Sequence, residues 1–298
     1  MNYPDIALLN RRFSAPGRIA FRSGEAGLPI VSLAGKYGAC EVSLYGAHVL
    51  GYTPVGLGPM LFLSKKSAFE PGKPIRGGIP VCWPWFGQVE GRGLHGFART
   101  LQWDLSATEY TGDCTEIRLS LSDSELTRRT WDFAFDLKLR IRLEQQLTLE
   151  LTTENRDTRP LDFSQGFHPY FRVSDITAVS VHGLDGATFT DYPSEEIKQQ
   201  QGSLLIQGET NRIYKPEKNE IAIRDEKLKR ATFVTFSGTR NAVVWNPWSE
   251  RIKSFNDLAE DDYTRMLCVE PVNRGDTAIT LGPGERHTLK MDIQSKLV

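Results

Sequence analysis

The sequence predicts a mainly β protein: a large antiparallel β-sandwich with few and short helices. Two observations carry this. Between Phe135 and Leu151, the residues Phe135, Leu137, Leu139, Ile141, Leu143, Leu147, Leu149 and Leu151 alternate with polar residues around a Gln145-Gln146 turn. A period of two places one face in the core and the other in water, as in antiparallel sheet. Elsewhere, short apolar runs follow one another, parted by Gly, Pro, Ser and Asn rather than by helical spacers. No fixed-period repeat points to a propeller. No shift of composition marks a boundary within the 298 residues, so a single domain spanning 1–298 is expected.

Taken in order, the runs IVSLAG, CEVSLYG, HVLGYTP and MLFLS between Ile19 and Leu63 read as strands joined by tight turns. LQWDLSATEY and TEIRLSLSD keep the same rhythm, after which SDSELTRR supplies one short helix with Ser122 or Asp123 as its cap. Beyond the hairpin come IAIRD, ATFVTFS, NAVVWNP, MLCVEPV, TAITLG and HTLKMDIQ, all strand-like. DLAEDDYTRM is the remaining helical candidate, with Asp257 and Glu260 as an N-terminal capping arrangement.

Acidic and basic residues number 37 and 36, for a net charge of -1, which gives no reason to expect a nucleic acid or a membrane as partner. Cys40, Cys82, Cys114 and Cys268 form no C-x-x-C pair, so the sequence supports neither a zinc site nor a disulfide framework. No metal is expected. MNYPDIALLNRRF lacks the apolar stretch and cleavage site of a signal peptide, and no run approaches a membrane span, so the expected location is cytoplasmic.

The segment Arg76 to Arg99, RGGIPVCWPWFGQVEGRGLHGFAR, is too irregular for a helix or a regular strand. From residue 64 to 99, six cations against two anions give a local net of +4. Aromatic faces suit the apolar faces of a sugar ring, and arginines offer planar charged donors for a carboxylate or phosphate. The alternative is a structural loop whose Trp83, Trp85 and Phe86 fill the core. A second segment, FSQGFHPYFR, sets His168 before a proline and between aromatics, where a held imidazole suits general acid or base work or is simply a packed core residue. His48, His182 and His287 read only as structural. In MLCVEPVNR, Glu270 interrupts an apolar run: either it pairs with an arginine, or it is a base tuned by its apolar neighbours.

RGGIPVCWPWFG, LHGFAR, GFHPYF and CVEP, in that order, resemble the hexose-6-phosphate mutarotases, or glucose-6-phosphate 1-epimerases, of the aldose 1-epimerase superfamily. The resemblance spans about residues 76 to 273. It implies a galactose mutarotase-like β-sandwich with a sugar cleft on one sheet face, and neither metal nor organic cofactor. It also implies that His168 is the catalytic acid and Glu270 the catalytic base, with Arg76, Arg99 and His95 binding substrate. Two positions depart from the pattern: Leu94 stands where some members have a glutamine, and Asn211 in GETNR where an aspartate is expected. Asn211 is still expected at the sugar.

The implied reaction interconverts the α and β anomers of a hexose 6-phosphate, with glucose 6-phosphate the family default. Base removes the anomeric proton while acid protonates the ring oxygen, and the ring recloses after rotation about the C1 to C2 bond. The partner is a small sugar phosphate. Oligomeric state is not fixed by the sequence, a monomer being favoured. Two other readings keep the cleft: a non-catalytic sugar-phosphate-binding protein, and a glycoside hydrolase, which needs a second carboxylate that the site segments do not supply.

Overall fold

The computed structural model describes residues 3–298. Among them the predicted antiparallel architecture is present as two large sheets. One has nine strands, with Phe135–Leu143 and Leu147–Asn155 side by side between Arg286–Leu297 and Cys114–Ser122. The other has eight and centres on Met266–Asn273, flanked by Asn241–Asn246 and Gln165–Phe167. A four-stranded meander, Ile19–Ser23 to His48–Pro54, packs against the edge of this pair, Pro29–Gly35 touching Cys114–Ser122 and Phe135–Leu143.

The predicted hairpin pairs Leu143 with Leu147 across its turn and Phe135 with Asn155 at its far end. Leu137, Leu139 and Ile141 are fully buried. The alternate positions carry charge: Glu116 accepts from Arg140 Nε at 2.6 Å and Arg118 Nε at 2.7 Å on the outer face. Burying each of the inward side chains contributes about 1.5–3 kcal/mol, so the alternation alone fixes which face turns inward.

The Met266–Asn273 strand is buried along its whole length. Leu267 and Val269 join the main core between the sheets, while Cys268, Glu270 and Val272 point to the opposite face. The same division holds on the neighbouring Asn241–Asn246 strand, with Ala242 and Val244 in the core and Val243 and Trp245 opposite. That opposite face is the floor of the cleft.

The helices differ in detail from the sequence expectation. A helix at Ile6–Phe13 was not anticipated; Asp5 caps it by accepting from Ala7 N–H, and Arg11 and Arg12 complement its C-terminus. The Glu125–Thr130 helix is capped by Ser124, not by Ser122 or Asp123. DLAEDDYTRM forms only a 3-10 turn at Asp262–Arg265, and Asp257 does not cap it. Asp257 is engaged by Arg76 instead. No helix among the described residues is long and apolar enough to cross a membrane.

Candidate active site

The irregular segment from Arg76 to Arg99 is partly core and partly site. Trp83 is fully buried and packs edge-on against Trp131 at 4.9 Å. Trp85 donates its indole N–H to Gly93 O at 3.0 Å, and Phe86 turns into a cavity of about 510 Å³. Phe86 packs closely over Gly166, where a Cβ would come within 2.9 Å of the ring.

His95 holds a left-handed backbone, φ 61°, which costs a non-glycine residue about 1–2 kcal/mol. Gly87 fixes it twice, accepting from His95 N–H at 2.9 Å and donating its own N–H to Nδ1 at 3.0 Å. With Nδ1 an acceptor, the neutral ring carries its proton on Nε2 and acts there as a donor. Burial, then the charges of His168 and three arginines, hold the imidazole well below its ordinary range. The adjoining Gly96 cannot be replaced without collision, since a Cβ would lie 2.0 Å from Trp83 O.

His168 and Glu270 meet on the cleft floor, Nε2 to Oε1 at 3.4 Å. Glu270 is 1% and His168 7% exposed. Burial drives the Glu270 carboxyl well above its ordinary value, opposed by the charge of Arg274. Burial likewise drives His168 well below 6.5, helped by Arg76 and Arg99. The imidazole stacks on Tyr170, ring centres 4.7 Å apart and planes within 12°, with Trp245 edge-on at 5.9 Å. Glu270 Oε2 and His168 Nδ1 have no partner among the described residues.

Arg76 lines the cavity. Its Nε donates to Asp257 at 3.0 Å and its Nη1 to the Tyr170 hydroxyl at 2.9 Å. Burial alone would lower its pKa, but Tyr170 and Asp257 outweigh it and the guanidinium is held charged. Arg251 also lines the cavity, and the guanidiniums of Arg251 and Arg76 lie 5.7 and 5.1 Å from the Phe255 ring centre. Arg99 is placed differently. It is 8% exposed, does not line the cavity, and donates from Nη2 to Leu94 O at 2.7 Å, behind the His95 loop. Burial, with Arg76 adding to it, holds its pKa below the usual guanidinium value.

A family model described as aldose 1-epimerase matches residues 29–294. The chain belongs to the aldose 1-epimerase family. A relative from Cenchrus ciliaris is 35% identical over 272 residues, covering 87% of this chain and 82% of its own length. One from Escherichia coli K12 is 34% identical over 239 residues, covering 79% and 80%. Both bear the name "Putative glucose-6-phosphate 1-epimerase". The solved structure of a "putative mutarotase", YeaD of Salmonella typhimurium, is 29% identical and matches with a TM-score of 0.89 over 96% of each chain. A galactose mutarotase-like protein of Clostridium acetobutylicum, 14% identical with a TM-score of 0.75, shares the fold.

In this member of the aldose 1-epimerase family, five of the six residues singled out from the sequence line one cavity: Arg76, His95, His168, Asn211 and Glu270. Leu94, at the departure from the family pattern, also lines it. Sequence reasoning passed over Glu209, Trp245, Arg251 and Arg274, which line it too. Arg274 closes the MLCVEPVNR string and Glu209 precedes the TNR of GETNR, so both belong to segments that the sequence marks. Arg251 had no local signal.

His168, Cys268 and Glu270 are the only group among the described residues whose donor atoms approach within 4.8 Å of one another in a way that could suit a metal. Burial, with Glu270 adding to it, raises the Cys268 thiol well above its usual pKa, so the group is held as a neutral thiol.

Proposed function

We propose that this chain interconverts the α and β anomers of a hexose 6-phosphate, glucose 6-phosphate being the expected substrate, with Glu270 as base and His168 as acid. The observation that carries the reading is the buried His168–Glu270 contact of 3.4 Å on the floor of a cavity that Arg76 and Arg251 also line.

Ring opening removes the proton from O1 and adds one to O5 as the C1–O5 bond breaks. A carboxylate with a raised pKa is a stronger base, and an imidazolium with a lowered pKa a stronger acid, than either is in water. Both transfers are therefore driven by the same burial. Opening leaves Glu270 protonated and His168 neutral, the uncharged arrangement that a dry floor favours. After the carbonyl turns about C1–C2, Glu270 returns its proton to O1, His168 recovers one from O5, and the pair is restored. One proton suffices for both half-reactions. Arg274 opposes the burial that raises the Glu270 pKa and so lowers the cost of forming the carboxylate from which ring opening starts. His95, locked as an Nε2 donor, supplies a neutral hydrogen bond to a sugar oxygen.

The phosphate is assigned to Arg76 and Arg251. The names borne by the relatives support the phosphorylated substrate, and two guanidiniums on one ring match a dianionic group. Exchange spectroscopy of α- and β-glucose 6-phosphate with purified protein tests the reading. Saturable acceleration of anomer exchange is expected; binding without exchange would make the chain a sugar-phosphate-binding protein.

A further inference from the structure

Lys65 and Lys66, part of the basic surplus noted in the sequence, do not line the catalytic cavity. They border a separate one of about 290 Å³ together with Arg172 and Arg265, and Phe62, Leu63 and Ala259 supply its apolar wall. Its one carboxylate, Asp262, is already engaged by Arg265 at 3.2 Å and by Ala259 N–H at 2.8 Å. Lys65, Lys66 and Arg172 have no carboxylate within ion-pair distance among the described residues. Lys65, Lys66 and Arg172 are solvent-exposed, and three cations without a carboxylate partner around one hollow give it a positive potential that draws an anion.

We propose that this cavity is a second anion site, taking the phosphate of a small phosphorylated metabolite. Both of its walls run into the support of Arg76. Lys65 and Lys66 lie on the turn between Ser64 and Ser67, where Ser64 N–H donates to Arg76 O at 3.0 Å and Ser67 Oγ accepts from Arg76 N–H at 3.0 Å. Ser64 Oγ also donates to Asp257 O at 2.6 Å, and Asp257 holds the Arg76 guanidinium. Ala259, on the opposite wall, is two residues from Asp257. An anion drawn between these walls orders the turn and loop that set the position of Arg76, and thermodynamic linkage makes the effect reciprocal.

The test is calorimetric titration of inorganic phosphate and of pyrophosphate into wild-type protein, the Lys65→Ala/Lys66→Ala double variant, Arg172→Ala and Arg251→Ala, each first shown to be folded by circular dichroism. The wild type is expected to bind at two sites. The lysine pair and Arg172 variants should each weaken one site at least tenfold and spare the other, while Arg251→Ala should do the converse. A single wild-type site insensitive to Lys65, Lys66 and Arg172 overturns the proposal. So does citrate binding there as tightly as pyrophosphate, since the site then reads charge and not phosphate. Because the readout is binding, it stands apart from the assignment of the reaction: loss of the Arg251-dependent site alone counts against the substrate reading and leaves this site in place.

Discussion

The side-chain amide of Gln165 donates to Oδ1 of Asn273 at 3.1 Å, and each residue stands three positions from one member of the His168–Glu270 pair. The two strands are in register at this point. His287 Nδ1 also lies 3.0 Å from the Gln165 amide, and its Nε2 is 2.8 Å from Gly238 O, so the network joins the cleft sheet to the opposite sheet. Gln165→Ala leaves several buried polar groups unpaired, at about 1–3 kcal/mol of stability. Denaturant unfolding should show that loss, and kcat should fall more than KM rises, because a register shift misplaces acid against base. An unchanged kcat in the folded variant would remove the network from any positioning role.

His168→Ala and Glu270→Gln should each reduce kcat by about a hundred- to ten-thousandfold with KM little changed, since both act on proton transfer. They should differ from most active-site losses in stability. The unfolded chain ionises Glu270 above pH 4.5, whereas the folded chain resists ionisation because burial raises that pKa. Stability is therefore lost as pH rises through this window. Glu270→Gln removes the penalty, so its melting temperature near neutral pH should exceed that of the wild type; an equal or lower value refutes the linkage.

Turnover requires one proton on the pair. Lowering of the His168 pKa moves the second protonation to more acid pH, so the acid limb of kcat/KM should lie well below 6.5. Loss of the single proton, set by the raised Glu270 value, forms the alkaline limb. A kinetic break at 6.5 in wild type that His95→Asn does not remove would show that His168 titrates as though exposed.

The arginines should separate by substrate. Arg76→Ala removes a largely buried charged hydrogen bond worth about 2–5 kcal/mol, lowering kcat/KM for glucose 6-phosphate more than tenfold, and Arg251→Ala, at an exposed position, should lower it in the same direction, while both leave free glucose nearly unchanged. Arg99→Ala should lower both substrates alike, because it supports the Leu94 carbonyl behind His95 and does not line the cavity. A phosphate-selective loss in Arg99→Ala would return that residue to the phosphate site.

Asn211 lines the cavity on a strand paired with Trp245. Asn211→Asp exchanges a donor and acceptor for an acceptor alone, so affinity or preference among hexose phosphates should change while the kcat for the preferred sugar is retained. Identical KM values across a sugar panel would place Asn211 out of contact with substrate.

The sheets were legible in the sequence wherever one face is wet, as along Phe135 to Leu151, because solvent writes the period of two into the residue order. Glu270 was legible for the opposite reason: a lone carboxylate in a strand buried on both faces needs a purpose. Arg251, Phe255 and Trp245 were not, since a floor strand and the helical turn that follows it are brought to the cavity by the fold and no local pattern records their meeting. Arg99 sits in the matched motif, yet its 3-10 turn aims the side chain behind the loop. The Ile6–Phe13 helix carried its cap and its C-terminal arginines in plain view, but is too short for periodicity to announce.

All eight residues of the Met266–Asn273 strand are buried, one face in the core and the other toward the cleft. A saturation scan read only by surviving activity would therefore score the whole strand as intolerant and hide which positions do chemistry. Reading abundance and activity separately should split it: Leu267 and Val269 variants disappear, whereas Glu270→Gln accumulates and is inert. The same geometry limits how such a protein can diversify. With the proposed acid and base set in packed elements of the molecule, new sugar preferences would come most readily from cavity residues on the connecting segments, such as Tyr192 and Glu209.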